Sequence, residues 1–341
     1  MRIAQTLSSK IYHAVVLHKS YLKLPFLEKW NERLATSYSH PLYAQSLHEF
    51  GEPRQLPRCG GWIIVRTIPG TPYKDAMGCY PLFGCRDWTR LCEDLDEVGS
   101  DLISLAIVPD PFLGIDPAFL GRCFDVVKPF KVHYIADLSQ PLTSFISKSH
   151  RMHARESLEV MDVEVCWQPT KYLDDWIRLY DNLIVRHRIK GINAYSAKCF
   201  QIQLSMPGMV MFLGRREQEI VGATLVLIQD HVAHFHSSAF TSEGYKIRAS
   251  YGTHWKALLY LNEQGIRYAG FGGAAGIKED PSDGLASFKR GWSNERRMVY
   301  FCGRVFDRQK YESICRQYHA ADNDHFPAYR AGEFASGKRR N

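Results

Sequence analysis

Three apolar runs with very short connections constrain this chain more than any other feature. Met209–Leu213, Ile220–Ile228 and Val232–Ala239 are rich in β-branched and large apolar residues. The connections between them, Gly214–Glu219 and Gln229–His231, are too short for a crossover. Strands joined this tightly pair antiparallel, so the spacing predicts a three-stranded meander. Helical patterns flank it. Tyr172–His187 carries Trp176, Leu179, Tyr180, Leu183, Ile184 and His187 on one stripe, and Ser196–Leu204 is a second helix. A helix over Ala249–Asn262 follows, with Tyr251, Trp255, Leu258 and Leu259 inward. The half opens with a short strand, Val163–Trp167. It ends with strand Ile266–Phe271, strand Arg297–Cys302 and a helix over Asp307–Tyr318.

The first half reads as a shorter version of the same order. Its first 50 residues read as helices, with Leu24, Leu27, Trp30 and Leu34, then Tyr43, Leu47 and Phe50. Trp62–Ile68 is a strand, and Ala76–Phe83 is extended but broken by Pro81. Trp88–Val98 is helical. Leu102–Val108 is apolar on both faces, as a central strand requires, and Pro109-Asp110-Pro111 ends it. Val132–Ile135 is a further strand. The last residues, from about Ala321, are polar and small and read as a flexible tail.

At 341 residues the chain has room for two domains. Its 45% hydrophobic and 23% charged residues exclude a disordered chain. A net charge of +7 favours anionic ligands such as nucleotides, coenzyme A, nucleotide-sugars or tRNA, and is too mild for a dedicated DNA-binding protein. Nine scattered cysteines without a CxxC pair predict free thiols in a reducing cytoplasm. The run Ile11–Leu17 is interrupted by His13 and has no cleavage site after it, so no signal peptide is read. No apolar run approaches the length of a membrane span.

One segment carries chemistry more visibly than the rest. Strand Ile266–Phe271 runs into Phe271-Gly272-Gly273, and Gly284–Ser293 (GLASFKRGWS) then places Phe288 and Lys289 between glycines. A lysine there has no core role and can meet a phosphate or a developing oxyanion. With His40–Ser46, Ser147–Leu158 and Leu179–Arg188, the order FGG…GLxxFK resembles the Fem family of peptidoglycan-bridge aminoacyltransferases and the wider FemAB-like GNAT group, over Leu42 to Cys315.

The resemblance implies a mixed α/β chain of two tandem GNAT-like domains. Largely antiparallel sheets, flanked by helices, would face an interdomain cleft. Residues 1–136 would form an abbreviated first domain and 137–301 the second. Residues 302–320 would return to the first domain, and 321–341 would be the tail. The implied activity is transfer of an acyl or aminoacyl group to an amine, with no permanently bound cofactor. The donor would be an acyl-CoA, an acyl carrier protein thioester or an aminoacyl-tRNA. The chain lacks the helical hairpin that some Fem members use as a tRNA arm. A binding protein that kept the cleft without the chemistry is the alternative from another class.

Residue by residue, the resemblance implies Lys289 near the transferred group with Phe288 beside it. It also implies an acceptor loop holding Asp75 and Tyr80, where Asp75 orients or deprotonates the amine. Arg66, in the preceding strand, is a candidate anion contact. A coenzyme A pyrophosphate would sit at the start of helix 249–262, at Lys246, Arg248 and Gly252, although the full RxxGxG/A pattern is absent. His234 and His236 share one strand face and would line the cleft. Two histidines so spaced can bind zinc, but no cysteine or carboxylate falls at matching spacing, so no metal is expected.

Overall fold

A computed structural model describes residues 37–114, 116–275, 282–320 and 324–333. The apolar stripe Leu24–Leu34 lies outside them. The predicted meander is present as β7 (Met209–Arg216), β8 (Glu219–Gln229) and β9 (Val232–Phe240), antiparallel throughout. The other strands are β1 (Glu52–Leu56), β2 (Gly61–Thr67), β3 (Lys74–Gly78), β4 (Ser104–Ile107), β5 (Val126–Asp137), β6 (Asp162–Cys166), β10 (Tyr268–Gly272) and β11 (Glu295–Val305). The main helices are α1 (Pro41–Ser46), α2 (Leu91–Val98), α3 (Pro117–Cys123), α4 (Lys148–Leu158), α5 (Leu173–His187), α6 (Ala197–Gln203), α7 (Ala249–Glu263), α8 (Gly284–Gly291) and α9 (Arg308–Gln317).

The sheets expected of the two halves are one. The strand order is β1-β2-β3-β4-β11-β5-β10-β9-β8-β7-β6, with only the β3/β4 and β9/β10 ladders parallel. The join is β11, which pairs with β5 along most of its length and with β4 at its end, Cys302 opposite Ile107. Both β5 and β11 run several residues beyond the apolar cores read from the sequence, because ladder bonds extend them through charged positions.

Two apolar layers sandwich the second half of the sheet. Helices α1, α5 and α6 bring Tyr43, Leu47, Trp176 and Phe200 onto Met211, Leu225 and Val299. Helices α4, α7 and α8 bring Ala154, Leu258 and Trp292 onto Phe212, Val226 and Phe271. Trp176 meets Phe200 edge-on at 5.5 Å, and each is at most 1% exposed, so truncating Phe200 would cost about 3–5 kcal/mol.

Four expectations change. Strand β1 was not legible, because Pro53 and charged neighbours carry no strand signal; its edge position tolerates the proline. β3 ends at Gly78, before the Pro81 break. The cysteines are not all free: Cys92 of α2 and Cys123 of α3 form a disulfide, with Cα atoms 5.1 Å apart. That pairing depends on two helices meeting across a gap of 31 residues, and no spacing rule encodes it.

Finally, Asp324–Glu333 is not a loose tail. It lies over the first half with Ala328, Tyr329 and Arg330 buried. Arg330 donates from Nε and Nη2 to the two oxygens of Asp75, each at 2.8 Å, and from Nη2 to the Thr67 carbonyl. Tyr329 and Ser104 share a hydroxyl bond of 2.8 Å.

Candidate functional site

The site begins where two strands part. β9 and β10 share only three rungs: Tyr268 with Val232, Ala269 with Ala233, and Gly270 with His234. Beyond them β9 continues to Phe240 paired with β8 alone. β10 turns away through Gly272, whose φ of +72° suits glycine. A bulge also lies in β9: Val226 faces Phe235 and Leu225 faces Ser237, so His236 is the extra residue. The opening therefore starts at His234 and Gly270.

His234 does not stand alone. Its Nε2 lies 3.2 Å from Oδ2 of Asp110, and both side chains are 6% exposed. Asp110 sits in the turn after β4. Its Oδ1 accepts the Phe112 amide at 3.0 Å, and its own amide donates to the Phe83 carbonyl at 3.0 Å. Burial opposes its charge, but His234 and the Phe112 amide outweigh burial and hold the carboxyl below its usual range. An ionised carboxylate accepts, so Nε2 of His234 donates to it, and in the neutral ring the lone pair is on Nδ1. Nδ1 faces Gly270, where a Cβ would lie 3.7 Å from it and 2.9 Å from the Phe112 ring. Glycine leaves room for that ring, which packs on His234 at 5.4 Å and lies under the Arg297 guanidinium at 4.8 Å.

A cationic group adjoins this pair. Lys289 of α8 donates from Nζ to the Gly273 carbonyl at 2.6 Å, and Lys131 of β5 donates to the Ala274 carbonyl at 3.2 Å. Burial, then the charge of Lys131, push Lys289 down to about 8, with Asp283 opposing. His133, two residues along β5, is pushed down to about 3, by burial first and then by Lys289. His133 thus lies within electrostatic reach of both lysines and of the His234–Asp110 pair.

The other sequence candidates fall elsewhere. Phe288 turns away from Lys289 into an aromatic cluster with Tyr251 and His254, each with its ring 5.1 Å from that of Phe288, because successive helical residues point about 100° apart. Its carbonyl accepts from His150 Nε2 at 2.9 Å. Asp75 is fully buried beneath Arg330, and Arg66 pairs with Asp75 at 3.5 Å and Glu333 at 3.0 Å. The structure thus gives both a docking partner within the chain. The Tyr80 carbonyl accepts from the Tyr43 hydroxyl at 2.6 Å. His236 donates from Nε2 to Gln203 at 3.1 Å, and burial holds its pKa near 4.

At the start of α7, Arg248 pairs with Glu156 of α4 at 2.5 Å and Lys246 with Glu243 at 3.4 Å. Gly252 is a packing contact: a Cβ there would lie 2.8 Å from the Met161 side chain and 3.0 Å from the Ser157 hydroxyl. Among the described residues no group of three or more His, Cys, Asp or Glu is arranged to hold a metal.

Sequence reasoning passed over Asp110, His133 and Lys131. Asp110 looked like turn punctuation between two prolines. Lys131 and His133 alternate on a strand, the one available signal that they share a face. A surface groove of about 520 Å³ between Tyr73, Asp101, Phe306 and Lys310 shares no residue with this site.

No family model and no curated protein matches the chain. Solved structures do match in fold. FemX aligns with a TM-score of 0.62 at 14% identity, covering 81% of this chain and 93% of FemX. The C-terminal domain of a putative lysylphosphatidylglycerol synthetase from Agrobacterium fabrum aligns with a TM-score of 0.61 at 13% identity, covering 90% and 95%. A conserved protein of unknown function from Bacteroides thetaiotaomicron gives 0.55 at 14% identity, covering 79% and 90%. The fold is that of FemX, consistent with the FemAB-like GNAT group that the motifs resemble.

Proposed function

We propose that this chain transfers an acyl or aminoacyl group from an activated ester or thioester to an amine, at the opening between β9 and β10. The observation that carries this reading is the buried His234–Asp110 pair on the last rung, with Nδ1 of His234 facing Gly270. The fold likeness to FemX and to a putative lysylphosphatidylglycerol synthetase supports a transferase at the coarse level.

The chemistry follows from the groups present. The amine nitrogen attacks the donor carbonyl carbon and its proton passes to Nδ1 of His234. Asp110 then stabilises the imidazolium. The Lys289 ammonium stabilises the oxyanion, and a pKa near 8 also lets it hand a proton to the departing oxygen or sulfur. The new C–N bond replaces the donor's C–O or C–S bond.

Coenzyme A is the less favoured carrier. The turn that would hold its pyrophosphate has its two cations paired, and Gly252 is covered by neighbouring side chains. An aminoacyl-tRNA or a carrier-protein thioester carries no pyrophosphate that this turn would have to hold. The test incubates the protein with an acyl-CoA, an acyl carrier protein thioester and an aminoacyl-tRNA against a panel of amines, with products read by mass spectrometry. The expected result is an amide from one of the last two donors, falling about 100-fold in folded His234→Ala and Lys289→Met variants. No product from any donor, or unchanged turnover in His234→Ala, would overturn the reading. Tight donor binding without product would point to the binding-protein alternative.

A further inference from the structure

Asp110 and His234 reach each other from distant strands. Asp110 follows β4 and His234 lies on β9, and β11, β5 and β10 stand between those two strands in the sheet. Four strand spacings separate β4 from β9, about 19 Å at about 4.8 Å each. The turn that carries Asp110 therefore extends across the sheet face to meet the imidazole. Its near end is held by backbone: the Phe83 amide donates to the Val108 carbonyl at 2.7 Å, and the Phe83 carbonyl accepts from the Asp110 amide at 3.0 Å.

The far end of the turn gathers on one side chain of β11. Arg297 donates from Nη1 to the Pro111 carbonyl at 3.4 Å. Its guanidinium lies 4.8 Å from the centre of the Phe112 ring and 4.7 Å from that of Tyr268 on β10. Nε donates to Glu295 at 2.6 Å, so a neighbour on its own strand aims the fork and matches its charge. His133 of β5 is the ladder partner of Arg297, which puts both on one sheet face. A planar guanidinium can lie against rings while it donates in its own plane; an ammonium cannot. Phe112 transmits this hold. Its ring packs edge-on to His234 at 5.4 Å, and its amide donates to Oδ1 of Asp110 at 3.0 Å, leaving Oδ2 for Nε2 of His234 at 3.2 Å.

We propose that Arg297 is a positioning residue: it braces the far end of the Asp110 turn against the sheet, and so holds that carboxylate on His234. Its weight in turnover rests on the acyl-transfer reading above; the bracing itself does not. Because Glu295 already matches its charge, Arg297 acts through shape, by its plane and its fork.

The test is NMR of the full-length protein labelled with ¹⁵N-histidine, which needs no substrate. In the wild type, the Nε2–H proton of His234 should be shifted to low field by Asp110. In Arg297→Ala it should move upfield or be lost to exchange with solvent. Arg297→Lys keeps the charge but not the planar fork, and should show the same change. Phe112→Leu should do so too, and combining it with Arg297→Ala should add little, because both cut one path. A His234 signal unchanged in folded Arg297→Ala overturns the proposal. So does a wild-type signal in Arg297→Lys, which would mean that charge alone suffices, and so do additive changes in the double variant. If Arg297→Ala does not fold, Arg297→Lys and Phe112→Leu decide the matter. With an active donor and acceptor, kcat of Arg297→Ala should fall about 10- to 100-fold. Turnover unchanged in Arg297→Ala while His234→Ala is inactive would overturn the role in catalysis. Unchanged turnover in His234→Ala would sink the function while leaving the NMR result standing.

Discussion

Two buried aspartates, both in the first half of the chain, show how the choice of partner separates anchoring from chemistry. Asp75 meets Arg330, a planar fork that fills both carboxylate oxygens and remains charged at any physiological pH. Asp110 meets His234, which takes one oxygen and leaves the other to a backbone amide. The first pair can only hold the C-terminal segment in place. The second can accept a proton and return it. Equal burial and equal charge thus lead to different roles, because guanidinium does not titrate and imidazole does.

The largest effect that would sharpen this contrast lies at the anchor. Arg330→Ala leaves Asp75 buried without its fork, and should cost about 3–5 kcal/mol in urea unfolding. Little loss would mean that the segment does not hold the first half together. Asp110→Asn should behave in the opposite way. Its unfolding free energy should fall by only about 1–3 kcal/mol, while turnover falls about 100-fold through the wrong His234 tautomer. Equal activity losses from Asp75→Asn and Asp110→Asn, in folded proteins, would erase the distinction.

A pH titration adds a smaller, graded test. Burial lowers His254 to about 3 and His236 to about 4. The unfolded chain takes up protons below about 6.5 whereas the folded protein does not, so stability is complete above that pH. It should decline as pH falls from about 6.5 toward 4, by up to about 1.4 kcal/mol per pH unit for each histidine. Chemical denaturation from pH 7.5 to 4.5 measures the slope, and His254→Phe should flatten it. A steric test is offered by Gly270→Ala. Its methyl group would push the Phe112 ring, costing about 1–3 kcal/mol and displacing the ring from His234. Unfolding curves and the His234 resonance together check this.

Much of the second half was legible because local periodicity and tertiary packing agree there. The meander, the stripe on α5 and the FGG…FK order all follow from residues near each other in sequence. Lys289 stands out in the sequence for the same reason: a lysine between glycines after a strand has few structural uses. The lysine at 131, the histidine at 133 and the aspartate at 110 lie far from it in sequence, and nothing local marks them.

The sequence by itself determined most of the strands and helices and the likeness in fold, and it singled out Lys289. Only the tertiary structure decided that one sheet spans both halves, that Cys92 meets Cys123, and that Arg330 closes over Asp75 while His234 finds Asp110. The physical reason is range. Periodicity and turn chemistry act over a few residues, whereas a buried charge is satisfied by whichever partner the fold delivers. For Asp75 that partner comes from 255 residues away.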